Sequence, residues 1–255
     1  MPSNLIPLVY EKNTGGTPVG TQEVQVADQI GNQWLAMPAG YIEGLALEWL
    51  SGSSIRVTSG VCSVPGVATL SFANSITKTG IALGNSAWGH VYAYLNGGSP
   101  DVEVVPAGPS APYSGRARTK SGDTTRRYLG SIRTNASGSI YRFDARNGQV
   151  LYMEEVIRPL SGGTNASATT VSLAALLPPT SFVAIASMNN TGTAAVRYRP
   201  TGAGWSATNT GRMYGLLAGT TVVGPLPTDT VQQIDYQADS GGVATLDVLG
   251  YILER

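Results

Sequence analysis

Charge, cysteine, histidine and long apolar runs are all scarce in this 255-residue chain. Charged side chains make up 13% of it, about half the usual share of roughly 25%. Sixteen basic and sixteen acidic residues cancel, so no global field draws the chain to nucleic acid or to an anionic membrane. The single cysteine, Cys62, excludes an internal disulfide. It sits in Val61-Cys62-Ser63-Val64 with no basic neighbour to lower its pKa, and reads as a small core filler. The single histidine, His90, would have to serve any Ser-His-Asp triad, and no Gly-x-Ser-x-Gly elbow is present. His90 shares a strand face with Trp88, Tyr92 and Tyr94 and reads as a packed or interface imidazole. One histidine and one cysteine cannot build a zinc site. Asp229, Asp235 and Asp239 lack the spacing of a calcium loop, and no Gly-rich phosphate loop occurs. A glycosidase needs two carboxylates across a sugar; Asp101, Glu103, Glu154 and Glu155 are on hand but read as solvated faces. No catalytic, cofactor-binding or metal-ligating residue is assigned, and no enzyme is expected. There is no run long enough for a membrane span and no basic-then-apolar leader, so neither membrane insertion nor export by the usual route is expected.

What is abundant points to strands. Hydrophobic residues reach 42%, enough for a core, and 32 glycines with 15 prolines suit many turns. Residues 1–43 have weak periodicity, with a short strand expected at Val24 to Val26, and read as an extended N-terminal arm for attachment. From Gly44 the pattern alternates with a period of two, in short runs separated by turn residues. Leu45, Leu47 and Trp49 begin it, followed by Ile55 to Val57, Val67 to Phe72, Trp88 to Leu95, Asp101 to Val105, Arg126 to Thr134, Ile140 to Phe143 and Gln149 to Met153. Ser161-Gly162-Gly163-Thr164-Asn165 marks a boundary. After it come Val171 to Leu173, Phe182 to Met188, Ala194 to Arg199, Arg212 to Leu217, Val231 to Tyr236 and Val243 to Tyr251. Leu173 to Leu177 has room for one helical turn before Pro178-Pro179. The expected fold is all-β: two antiparallel β-sandwich or jelly-roll-like modules, 44–158 and 159–255, behind the 1–43 arm. The second module is expected to be knob-like.

Two clusters carry possible contacts. Half of the basic residues lie between Arg116 and Arg146. Arg116, Arg118 and Lys120 are two apart, so an extended backbone puts them on one face. Either an anionic partner, such as phosphate on a host surface glycan, or acids of a neighbouring subunit (Asp101, Glu103, Glu154, Glu155) would neutralise them. Farther on, Trp205 follows Tyr198 and Arg199 in a polar loop. An exposed indole beside a phenol and a guanidinium would suit a sugar ring; the other reading has Trp205 plugging the end of the sandwich or a trimer axis.

A resemblance gathers these features. Asn85-Ser86-Ala87-Trp88-Gly89-His90-Val91-Tyr92-Ala93-Tyr94-Leu95, then Asp101-Val102-Glu103-Val104, resembles segments of tailed-bacteriophage fibre and appendage proteins. Ala117 to Asp123, Arg126 to Ile132 and Asn135-Ala136-Ser137-Gly138 do so too, as do Gln232 to Tyr236 and Val248-Leu249-Gly250-Tyr251. The resemblance spans roughly residues 44–255 and implies β-rich modules assembled as homotrimers on a virion. Its implied role is a tail fibre or knob for host attachment, with a head fibre or capsid decoration protein as the alternative and a glycan depolymerase as a distant one. Implied partners are further copies of the chain, other tail or head proteins through residues 1–43, and a host surface glycan. Assembly in the host cytoplasm into the virion goes with it. No cofactor is implied.

Overall fold

Alternation with a period of two becomes strand after strand in the computed structural model, which describes residues 38–65, 68–153, 157–203 and 214–255. In chain order the strands are β1 (Ile42–Gly44), β2 (Leu47–Ser51), β3 (Ser54–Val57), β4 (Gly60–Val64), β5 (Ala68–Phe72), β6 (Ile76–Lys78), β7 (Trp88–Asn96), β8 (Ser99–Val105), β9 (Thr119–Lys120) and β10 (Asp123–Arg133). There follow β11 (Phe143–Arg146), β12 (Gln149–Tyr152), β13 (Ile157–Gly163), β14 (Thr169–Ser172), β15 (Val183–Asn190), β16 (Val196–Pro200), β17 (Tyr214–Leu216), β18 (Thr221–Pro227), β19 (Gln233–Ala238) and β20 (Ala244–Ile252). Among the described residues every strand pairing is antiparallel and there is no helix. The fold is all-β.

Five sheets result among the described residues: β1-β4-β5, β2-β3-β6, β8-β7-β10-β9, β14-β19-β16-β17, and β11-β12-β20-β15-β18 with β13 also on β20. In β15 buried and half-buried residues alternate along the whole strand, as expected where one face meets a core. The Tyr198 hydroxyl on β16 donates to the Thr245 carbonyl on β20 at 2.9 Å, so these two sheets face each other across a shared core. One contiguous apolar cluster takes in Leu45, Ile55, Cys62 and Val91 as well as Leu177, Met188, Leu246 and Tyr251. β20 is the meeting point: it pairs with β12, β13 and β15. The expected boundary after Arg158 falls inside β13. That strand pairs with β20 through two register shifts, the first of which spans Pro159. Of the expected arm, residues 1–37 and the strand at Val24 to Val26 lie outside the described residues, whereas Ile42–Gly44 pairs with β4.

One local reading changes and one holds. Ile140 to Phe143 is not a strand. The Ile140 amide donates to the Gly52 carbonyl at 2.7 Å and its own carbonyl accepts the Trp49 indole N–H, so the residue is tied to the β2–β3 turn and the strand starts at Phe143. Leu173 to Leu177 makes a single turn, the Leu177 amide donating to the Leu173 carbonyl at 3.0 Å.

Gly250 allows β12 to reach β20. A Cβ there would stand 2.0 Å from the Val150 carbonyl oxygen and 3.0 Å from the Leu151 Cα, both backbone atoms that cannot swing aside. Gly250→Ala is therefore expected to cost about 1–3 kcal/mol, read as a lower urea midpoint. An unchanged midpoint would contradict this register.

Candidate functional site

Residues 38–45 form the base to which the N-terminal segment is joined, and they are held by side chains distant in sequence. Gly44 lies opposite Gly60 in the β1–β4 pair; its φ of +65° and a virtual Cβ only 2.4 Å from the Ser59 carbonyl oxygen leave room for glycine alone. Arg127, on β10, is completely buried. Its Nη1 donates to the carbonyls of Arg118 (3.3 Å) and Tyr128 (3.0 Å), and its Nη2 to that of Gly40 (3.1 Å). Arg255 donates from Nη1 to the Leu45 carbonyl (2.7 Å) and from Nη2 to that of Gly44 (2.8 Å). The Ser63 hydroxyl donates to the Pro38 carbonyl (3.3 Å) and accepts from the Gly40 amide, while the Ser114 hydroxyl donates to the Ala39 carbonyl (2.8 Å). Thus the carbonyls of Pro38, Ala39, Gly40, Gly44 and Leu45 each accept from a side chain. Neither Arg127 nor Arg255 has a carboxylate partner among the described residues. Burial pulls the pKa of Arg127 below the usual guanidinium range; burial and then the charge of Arg127 do the same to Arg255. Both nonetheless remain cations. Beside them burial pushes the Cys62 thiol up to about 12, so this cysteine is an inert core group.

Two effects oppose each other in Arg127→Met. The Gly40 carbonyl loses its donor, at a cost of about 1–3 kcal/mol. A buried cation without a carboxylate, and its repulsion with Arg255, disappear, which returns a similar amount. Global stability is expected to move by less than about 1 kcal/mol, while chymotryptic cleavage after Tyr41 speeds up roughly tenfold as the base opens locally. A cleavage rate equal to that of the parent would show that Arg127 does not hold the base.

The basic cluster is largely neutralised within the chain. Arg116, Arg118 and Lys120 do point outward together, with Ala117 and Thr119 buried between them. Lys120 meets Glu103 at 3.0 Å, Arg118 donates to the Ser110 carbonyl at 3.0 Å, and Arg116, two-thirds exposed, faces Glu254 at 3.7 Å. Arg126 stacks over the Tyr94 ring at 4.1 Å and lies 3.4 Å from Glu103. Arg146 pairs with Asp144. Glu103 on β8 thus answers Lys120 on β9 and Arg126 on β10, although β8 and β9 are the two edges of the β8-β7-β10-β9 sheet. Asp101, the other β8 acid, pairs with Lys78 at 2.7 Å, while Glu154 and Glu155 lie outside the described residues.

The expected sugar-contact group does not assemble as read. Tyr198 is fully buried, its hydroxyl shared between the carbonyls of Asn189 and Thr245. Arg199 is nine-tenths buried: it pairs with Asp235 at 3.1 Å and donates to the Ala203 carbonyl. Asp235 in turn accepts from Thr170 and Thr201. In this chain both residues are packing groups: β16 turns Tyr198 into the sandwich, and Arg199 is covered where it meets Asp235 of β19. Trp205 lies outside the described residues.

His90 also faces inward. Its Nδ1 is 2.7 Å from the Ser131 Oγ, which is 2.7 Å from the Tyr128 hydroxyl, and that hydroxyl lies 3.2 Å from the Thr180 Oγ1. Among the described residues no carboxylate joins this buried chain of hydroxyls. Among the described residues, no three His, Cys, Asp or Glu side chains are grouped to hold a metal ion. The aspartates once open to a calcium reading have other partners: Asp229 accepts the amides of Val231 and Gln233, and Asp239 pairs with Arg197. Sequence reasoning missed the paired anchors Arg127 and Arg255; the available signal for Arg127 was its place directly before the uncharged stretch Tyr128 to Ile132 of β10.

No family model matches this chain, and no curated protein or solved structure does either. Fold and site by themselves define a class: a layered, antiparallel all-β protein with a buttressed N-terminal base.

Proposed function

We propose that the chain is a structural protein of a tailed-bacteriophage particle, a homotrimeric tail-fibre or knob component that contributes to host attachment. The observation that carries this reading is the base at residues 38–45, where five successive or near-successive carbonyls are clamped by Arg127, Arg255, Ser63 and Ser114. Such a clamp suits a β-rich body that transmits load to a segment docked on other virion proteins. Low charge density and zero net charge favour association of copies, and the resemblance described above supplies the trimer. A head-fibre or capsid-decoration role is the second reading. It is favoured by the burial of Tyr198 and Arg199, which takes two of the six expected glycan or partner contacts away from the surface.

Deletion of residues 1–37 is expected to leave a protein that melts cooperatively within about 3 °C of the full chain yet no longer joins particles. Light scattering should give three times the chain mass for both forms, that mass being 26.5 kDa for the full chain. Imaging of labelled particles then separates tail from head. Truncated protein that still incorporates would remove the attachment role of the segment, and a monomeric mass at micromolar concentration would remove the trimer.

A further inference from the structure

A closed ring of five side chains lies where the β7–β10 pair meets β12 and β20. Arg133 packs over Tyr141, with 5.4 Å between its Cζ and the ring centroid. Tyr141 meets Tyr152 at 5.6 Å, Tyr152 meets Tyr251 at 6.3 Å, and Tyr251 meets Trp88 edge-on at 6.0 Å. Trp88 returns to Arg133, because the two are directly opposed in the β7–β10 register and so project from the same face. Arg133 is more than nine-tenths buried. Its Nε and Nη1, together with the Trp88 Nε1, are buried donors that meet no acceptor among the described residues. Arg127 differs. That guanidinium is equally deprived of carboxylates but donates to three carbonyls. Arg133 has no carbonyl or carboxylate acceptor among the described residues, and a buried cation in that position is strongly disfavoured unless a counter-charge meets it.

We propose that the Arg133–Trp88 corner of this ring binds a small monovalent anion of halide type. Charge sets the valence, since one guanidinium is the only cation in the ring and one negative charge neutralises it. The walls set the size and hydration. Tyr141, Tyr152 and Tyr251 enclose the corner with aromatic rings, whose edges carry positive partial charge and tolerate a weakly hydrated anion. Two guanidinium donors and one indole donor supply hydrogen bonds to a spherical acceptor, which needs no particular lone-pair geometry. The anion would stiffen the junction between the sheet containing β7 and β10 and the sheet containing β12 and β20. This goes beyond the virion role and does not depend on it.

The test uses the full chain at constant ionic strength, with gluconate replaced stepwise by chloride and then, separately, by bromide. Chloride at about ten times its dissociation constant is expected to lower the unfolding constant roughly tenfold, with a saturable rise in Tm. Chloride-35 NMR should show line broadening that bromide relieves by competition. Arg133→Met keeps the length of the stem and should abolish both responses. Trp88→Phe keeps the edge contact with Tyr251 but deletes the indole donor, and should weaken the anion several-fold, which keeps the test alive if Arg133→Met does not fold. A parent protein indifferent to anion identity overturns the proposal, as does an Arg133→Met protein with the parent's chloride response. If chloride has no effect while Glu154→Gln or Glu155→Gln destabilises as much as Arg133→Met, the counter-charge is a carboxylate of the chain and the anion site does not exist.

Discussion

Tyr198→Ala is expected to cost about 3–5 kcal/mol, the range for removing a large buried aromatic side chain. The residue is fully buried on β16, and its hydroxyl bridges the sandwich by donating to the carbonyls of Asn189 on β15 and Thr245 on β20. Two losses add in the alanine variant: the ring volume between the sheets and the hydroxyl that crosses them. Tyr198→Phe separates them. It keeps the ring and should cost only about 1–2 kcal/mol, the worth of a buried hydrogen bond together with its stranded acceptors. Chemical denaturation of both variants measures the split directly. The same pair of variants bears on adsorption to host cells. A core residue changes adsorption only in proportion to the protein that remains folded. A Tyr198→Ala protein of parental stability that no longer bound cells would place the phenol on the surface and reverse the assignment made here.

The neighbourhood of Tyr198 shows what the linear pattern makes legible and what it hides. Period two on Val196-Arg197-Tyr198 puts Val196 and Tyr198 on one face and Arg197 on the other, and that is how β16 lies, with Arg197 reaching Asp239 on the partly exposed side. Proximity in sequence to Trp205 and to a glycine-rich loop suggested a contact group instead, because aromatic and guanidinium chemistry looks alike whether it meets a sugar or a core carbonyl. Arg199 departs from the alternation altogether. It is buried because Asp235 comes across from β19 to meet it, a register fact that no local window contains. The same limit applies to Glu103 and Lys120, which meet although their strands, β8 and β9, are the two edges of one sheet.

Strands with clean alternation and turn residues at both ends, such as β3, β7, β8, β15 and β20, were readable. β13 and β18 were not, since Pro159, Pro225 and Pro227 look like breakers. β18 is an edge strand that pairs only with β15, and proline is tolerated there with its nitrogen turned away from the ladder. Parity supports that placement: the Thr220 carbonyl and the Thr228 amide bond inward to Asn190 and Phe182, so the odd-numbered Pro225 and Pro227 turn outward. The base at residues 38–45 was invisible for a different reason, as its holders come from residues 63, 114, 127 and 255.

Stability should fall between pH 6.5 and pH 4 because of His90. Burial lowers its pKa from 6.5 to about 4, and the imidazole sits against Ser131 and Tyr128 with only 4% of its surface exposed. The folded protein therefore refuses a proton that the unfolded chain accepts throughout this interval. The unfolded state binds more protons there, so stability rises with pH across the window, is complete above pH 6.5, and loses nothing further from this group below pH 4. The difference amounts to about 3 kcal/mol. The carboxylates whose pKa lies below the ordinary value, Asp101, Asp123 and Asp239, act in a lower range, because each starts from 3.8 and moves down. His90→Asn isolates the effect: its side-chain oxygen or nitrogen takes the place of Nδ1 beside Ser131 but cannot titrate. Urea midpoints collected at half-unit steps from pH 7.5 to pH 4 should slope downward for the parent protein and run nearly flat for His90→Asn. The variant would start lower at pH 7.5, from the lost ring volume, and the two curves would converge toward pH 4. Parallel curves would mean that His90 charges freely in the folded protein, and the buried chain from His90 through Ser131 and Tyr128 to Thr180 would then have to open at mildly acidic pH.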